Sequence, residues 1–188
     1  MVEEIAIIAF LIVLNGLFSM AEISIVSAKK SRLEELLRKG NRTAKEVLNL
    51  SEHPNKFLST VQIGITSIGI LTGIFGGATI SSAIQNILVD FGMSSVYADN
   101  VAIVIVVVII TFFSIVIGEL LPKRIGMTNP EAIALLSAKP MIVLSRITAP
   151  FVWLLGTTTD FFIKLFRVRK TEASQVTEEE IKALVEEG

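Results

Sequence analysis

Near the end of one long apolar stretch, an acidic residue stands beside a glycine and shortly before a proline. Glu119 follows Gly118 in the segment FSIVIGELLPKR, and Pro122 comes four residues after Gly118. A proline inside a helix has no N–H to donate and clashes with the carbonyl four residues earlier. We therefore expect the Gly118 carbonyl to lack its helical partner, next to a carboxylate. Such hard oxygen ligands suit Mg²⁺, Ca²⁺ or Na⁺.

The neighbours of this acid extend the candidate site along the same helix. Ser114 lies four residues before Gly118 and shares its helical face, while Lys123 lies four residues after Glu119. In one interpretation, Ser114, Gly118 and Glu119 bind a cation. Pro122 then kinks the helix, and Lys123 holds the helix end at the membrane surface. In the other interpretation, Glu119 is an acid near the helix end that forms an ion pair with Lys123.

A second polar stripe lies close to the N-terminus. Asn15, Ser19 and Glu22 follow one another at i, i+4 and i+7 in a segment that is otherwise almost entirely apolar. This spacing places them on one helical face, and a polar face within a bilayer should meet protein or water rather than lipid. For Asn15 we favour a hydrogen bond between helices. Ser19 and Glu22 are candidate cation ligands, with helix–helix hydrogen bonding as the alternative.

A third polar stripe is rich in glycine. It consists of Gln62, Thr66, Gly69 and Gly73. The glycines favour close packing between helices, because small residues four apart allow backbones to approach. Thr66 is a further candidate oxygen ligand.

The elements that carry these stripes are long apolar segments. The chain has 188 residues, of which 52% are hydrophobic, and its mean hydropathy is +0.68; a soluble domain has about 45–50% apolar residues. Apolar blocks cover about residues 5–28, 57–89 and 101–121, each close to or above the roughly 20 residues that span a bilayer. We predict an all-α integral membrane protein with three transmembrane helices.

Basic residues indicate the orientation of these spans. Lys and Arg are dense in residues 29–56 and recur directly after the third span, whereas the linker 90–99 contains neither. Because cytoplasmic loops are enriched in Lys and Arg, we predict a multi-pass protein of the cell membrane with its N-terminus outside and its C-terminus in the cytoplasm.

Two further segments are predicted to lie at the cytoplasmic surface of the membrane. Residues 30–50 have an amphipathic helical pattern, which fits an interfacial helix or a soluble helix packed on another domain. Residues 131–166 are apolar but interrupted by Arg146, Pro150 and Asp160, which favours interfacial or re-entrant helices over a crossing. The sequence Asn129-Pro130-Glu131 is typical of a helix start.

The last residues differ in character from the rest of the chain. Thr177 and Glu180 match a capping box, so an acidic cytoplasmic helix is predicted within residues 171–188. We expect a soluble region to follow it in a longer protein.

Several functional classes have no support in the sequence. A net charge of −1 offers no basic surface for nucleic acid, and there is no cysteine. We find no glycine-rich phosphate loop, catalytic triad or HExxH motif, so we do not expect an enzyme. The single histidine, His53, cannot build a transition-metal site alone, and we predict a cap or loop role for it.

Three segments, taken in order, resemble the transmembrane domain of the CorC/cyclin M (CNNM) family. They are NGLFSMAEISIVSAKKSRLEEL, STVQIGITSIGILTGIFGG and VIGELLPKRIGMTNPEAIA. The resemblance implies a membrane domain over residues 1–170, a homodimer formed through it, and an acidic helical bundle that begins in residues 171–188. It also implies ATP-binding CBS domains further on, outside this chain.

The resemblance also implies a function, Mg²⁺ export coupled to Na⁺. It carries the ion ligands to Ser19, Gly118 and Glu119, and by extension to Glu22 and Ser114. Many family members have asparagines after the glycine of the second helix, where this chain has Ile65-Thr66-Ser67, so an amide ligand is missing here. A different hypothesis is a membrane-anchored regulator that responds to Mg²⁺ or nucleotide and acts on another transporter.

Overall fold

The structure, a computed structural model, describes residues 2–166, apart from the side chains of residues 77–79. Every element in this part of the chain is helical. The α-helices are α1 (Val2–Ser27), α2 (Lys30–Arg38), α3 (Arg42–Glu52), α4 (Pro54–Asp90), α5 (Ser95–Ile115), α6 (Leu121–Thr128) and α7 (Pro130–Leu165). A short π-helical segment, Val116–Leu120, joins α5 to α6. The helix predicted within residues 171–188 and the domain boundary predicted at residue 170 lie outside the described residues.

The prediction of an all-α membrane protein agrees with this architecture, but the number of spans is not confirmed. Four helical stretches in the described residues are long and apolar enough to cross a membrane: α1, α4, the continuous stretch Ser95–Thr128, and α7. The fourth, α7, is one helix of 36 residues with Pro140 and Pro150 inside it. Length and composition therefore do not separate an interfacial α7 from a spanning one.

The single helix predicted over residues 30–50 is two helices in the structure. The break falls at Gly40, whose φ of +94° is a left-handed conformation that glycine adopts at little cost. The next residue, Asn41, restarts the helix, because its side-chain oxygen accepts a hydrogen bond from the Thr43 N–H at 3.1 Å. The start predicted for α7 is confirmed: the helix begins at Pro130, and Asn129 accepts from the Ala132 N–H at 3.4 Å.

The core lies where α2 and α3 pack on α1, α4 and the first part of α7. Its buried members are Ala21, Ile25, Leu33, Val47, Leu48, Phe57, Val61, Ala134, Ala138 and Met141. The apolar face predicted for residues 30–50 thus contacts protein. By contrast, large apolar side chains such as Ile74, Val104 and Phe112 are more than half exposed, which suits contact with lipid.

The described residues belong to two units, residues 2–152 and residues 153–166. In the second unit, the described part is the end of α7. There the Thr157 and Thr158 hydroxyls donate to the carbonyls of Trp153 and Leu154, which satisfies their polar groups within the helix.

Glycines let α1 lie directly against the end of the third predicted span. A Cβ atom at Gly16 would lie 2.8 Å from Cγ of Pro122 and 3.0 Å from the Ile117 carbonyl oxygen. One turn after Pro122 along the chain, a Cβ at Gly126 would lie 2.9 Å from the Met20 carbonyl oxygen of α1. Such distances leave no room for a side chain, so the two helices approach at backbone range.

We expect Gly16→Ala to destabilise this contact by about 1–3 kcal/mol, because the added methyl group overlaps a rigid proline ring and a backbone oxygen. The measurement is the thermal unfolding midpoint of the detergent-purified protein, which should fall. Gly69→Ala is the matched control, since a Cβ there meets no atom within 4 Å and the gain in helix propensity is the same. Equal midpoints for the two variants would contradict the close approach.

Candidate cation site

The helix that carries Glu119 changes its hydrogen bonding around that residue. Between Val116 and Leu120 it is a π-helix, and the Leu121 N–H donates to the Val116 carbonyl five residues earlier. Pro122 follows and has no N–H to offer. A π-bulge of one turn is often found at functional sites, and here it places Gly118 against Asn15 and Ile12 of α1, with Glu119 next to it.

The Gly118 carbonyl, which Pro122 deprives of a helical partner, is bonded from another helix. The Asn15 side-chain N–H donates to it at 3.0 Å. This agrees with the helix–helix role favoured for Asn15 and shows that the carbonyl is not free. A carbonyl has two lone pairs, so it retains capacity for a second partner.

The same asparagine contributes an oxygen that was not predicted to be a ligand. Asn15 Oδ1 is buried, and among the described residues it has no hydrogen-bond partner. A buried acceptor without a partner costs about 1–3 kcal/mol. Its presence next to the Gly118 carbonyl adds a second neutral oxygen at the level of the π-helical segment.

At the start of α6, Lys123 lies close to both acids of the predicted site. Nζ of Lys123 lies 2.8 Å from a carboxylate oxygen of Glu119 and 4.0 Å from one of Glu22. The side chains of Glu22, Lys123 and Glu119 are 20%, 34% and 47% exposed, so Glu22 is the most shielded of the three and Glu119 is the most open. The ion pair between Glu119 and Lys123 matches the second interpretation of Glu119. The link to Glu22 was not predicted.

The remaining predicted ligands take separate positions. Ser19 is buried on the α1 face between Asn15 and Glu22. Ser114 borders a cavity of about 300 Å³ between α4 and α5. Thr66 is exposed and accepts a hydrogen bond from the Gln62 amide at 3.3 Å.

The chemistry available here is that of a weak cation site. Residues 2–166 contain no group of three or more Asp, Glu, His or Cys side chains arranged to hold a metal. Two carboxylates and several neutral oxygens would bind Mg²⁺ loosely, because that ion gives up its water reluctantly and keeps several water ligands. Loose binding suits an ion in transit better than a resident cofactor.

Comparisons with known proteins place these residues in a family. The model of the cyclin M transmembrane N-terminal domain matches residues 6–188. The UPF0053 protein sll0260 of Synechocystis is 50% identical over 185 residues, which cover 98% of this chain and 41% of that protein. The polyamine export protein of Escherichia coli K12 is 34% identical over 188 residues, covering 100% of this chain and 42% of that protein.

A third relative, the UPF0053 protein YhdP of Bacillus subtilis, is 30% identical over 189 residues and is covered to 43%. The chain therefore spans about two fifths of the length of these curated relatives. Because the family model matches nearly the whole chain, the protein belongs to the CNNM family of cyclin M transmembrane domains.

Proposed function

We propose that this chain is the membrane domain of a cation exporter in which Glu119 and Glu22 receive the cation. The observation that carries the proposal is the position of the Lys123 ammonium, 2.8 Å from Glu119 and 4.0 Å from Glu22. The pair of carboxylates already binds a positive group within the domain. Acids within a membrane span cost at least about 2.5–3.5 kcal/mol, and a passive anchor has no need of them.

The proposed route starts at the cytoplasmic side. Lys123 and Arg124 follow the third predicted span, and the basic residues of α2 and α3 follow α1, so the end of α1 and the end of the third span face the cytoplasm under the positive-inside rule. In this orientation the N-terminus is outside, and the two acids are open to ions that arrive from the cytoplasm.

Mg²⁺ is the first proposed cargo. Support comes from the resemblance described above and from the oxygen ligands near the π-helical segment of the third span, which are those of Asn15, Ser19, Glu22, Gly118 and Glu119. Ser114, which borders the cavity between α4 and α5, and Thr66 remain proposed secondary ligands. Na⁺ is proposed as the coupling ion, because the same hard oxygens accept it.

A polyamine is the second proposed cargo, and a specific observation favours it. The group bound between Glu119 and Glu22 is a primary ammonium on an alkyl chain, which is the chemistry of a polyamine end. Four of the relatives found by comparison in Escherichia coli and Salmonella carry the name polyamine export protein. A cargo with such an ammonium would take the place of the Lys123 ammonium.

The proposal has two further parts, both based on the family resemblance. The protein forms a homodimer through its membrane helices, and ATP-binding CBS domains further along the protein control it.

The competing function is a membrane-anchored regulator of another transporter. Its prediction is distinct: the full-length protein reconstituted alone in liposomes would move neither Mg²⁺ nor a polyamine.

We expect Glu119→Gln to abolish cation binding and transport, because the amide keeps the shape of the side chain and removes its charge. Isothermal titration of the detergent-purified chain with Mg²⁺ and with spermidine, in Na⁺ and in Na⁺-free buffer, measures binding and identifies the cargo. Flux by the full-length protein in liposomes measures transport. Asp99→Asn is the matched control, since Asp99 is an exposed acid near the start of α5. Binding that survives Glu119→Gln would move the site elsewhere.

We expect Lys123→Gln to strengthen cation binding about fivefold, because the incoming cation no longer competes with a tethered ammonium whose ion pair contributes roughly 1 kcal/mol. The same titration measures this change, and Arg124→Gln provides a neighbouring loss of charge outside the cluster. Weaker binding in Lys123→Gln than in Arg124→Gln would show that Lys123 supports the site instead of competing for it.

A further inference from the structure

A polar cavity lies away from the cation site, between α3, the start of α4 and the middle of α7. Its volume is about 460 Å³, within the range of about 300–1,000 Å³ that small-molecule sites occupy. Its polar lining residues are Glu46, Asn49, His53, Lys56, Ser145 and Arg146. None of these residues takes part in the cation exporter proposed above.

The charges of this cavity are of both signs. Lys56 on α4 and Arg146 on α7 are two cations on facing helices, which suits a phosphate. On α3, Glu46 contributes an acid whose Oε2 atom is buried and, in residues 2–166, accepts no hydrogen bond. A buried carboxylate oxygen that accepts no hydrogen bond raises the free energy of the folded protein. A ligand of this cavity is therefore expected to carry N–H donors as well as a phosphate.

The helices that line the cavity contact each other beside it. One turn beyond Lys56, the buried hydroxyl of Thr60 lies 3.5 Å from that of Thr148, which follows Arg146 by two residues. The side chain of Phe57 is also buried in the core beside the cavity. These contacts place α4 and α7 side by side next to Lys56 and Arg146.

The position of the cavity favours a ligand from the bilayer surface. Lys56 directly precedes the second predicted span, at the membrane–water boundary on its basic side. On the adjacent face of α7, Val143 and Ile147 are 55% and 67% exposed, and they provide an apolar surface for acyl chains. Basic pockets between membrane helices on the cytoplasmic side are known sites for lipid head groups.

We infer that this cavity binds a phosphoethanolamine group, with its phosphate between Lys56 and Arg146 and its ammonium donating to Glu46 Oε2. A phospholipid head group is the source that the position favours, and soluble phosphoethanolamine has the same chemistry. The ligand would connect α3, α4 and α7 at the membrane surface.

The test is native mass spectrometry of the detergent-purified chain with an equimolar mixture of phosphatidylethanolamine, phosphatidylcholine and phosphatidylglycerol. We expect phosphatidylethanolamine to be retained at least about fivefold over phosphatidylcholine, because a trimethylammonium group has no N–H to donate to a carboxylate. Glu46→Gln should reduce that ratio toward one, and Arg146→Gln should reduce the retention of both lipids. Lys45→Gln, on the neighbouring residue outside the cavity, is the control and should change neither.

Three outcomes would overturn or redirect this inference. Equal retention of phosphatidylethanolamine and phosphatidylcholine by the unchanged chain would overturn it. Preferred retention of phosphatidylglycerol that Glu46→Gln leaves intact would also overturn it, since the site would then recognise only an anion. Displacement of the lipid by millimolar soluble phosphoethanolamine would support the chemistry and identify the soluble compound as a ligand. The thermal unfolding midpoint of Glu46→Gln without lipid shows that the isosteric variant is folded.

Discussion

A single absent N–H group organises the candidate site. Pro122 cannot donate to the helix, so the third predicted span widens to a π-helix and the Gly118 carbonyl turns to Asn15 on α1. That hydrogen bond forms only where the backbones of α1 and the third span lie close together. Gly16 allows this approach, because it has no side chain to overlap the Pro122 ring. The register of α1 against the third span therefore follows from the proline, and with it the meeting of Glu22 and Lys123.

The sequence allowed the local parts of this arrangement to be predicted, because they follow from spacing within one helix. The pairing of Glu119 with Lys123 is an i, i+4 relation. The irregular hydrogen bonding before Pro122 follows from the missing N–H of proline. The hydrogen bond from Asn15 to Gly118 joins residues 103 positions apart, and no spacing rule reaches that far. The sequence indicated a helix–helix hydrogen bond for Asn15, but it did not identify the Gly118 carbonyl as the partner.

One error of element assignment has a physical cause. The break at Gly40 was missed because an isolated glycine in a helical pattern is tolerated, and only the left-handed backbone and the Asn41 cap reveal the stop. For α7, Arg146, Pro150 and Asp160 favoured interfacial or re-entrant helices over a crossing, and this stays a prediction; the structure adds that Pro130–Leu165 is one continuous helix. Pro150 costs that helix a hydrogen bond without ending it.

The lysine between the two acids has a consequence for the domain without cargo. Two carboxylates without a partner, exposed to each side of a membrane in turn, would bind stray cations and carry them across as a leak. A covalently attached ammonium fills the same place and cannot leave. In an exporter of the kind proposed, Lys123 would act as a built-in seal, and only a cation that outcompetes it would travel.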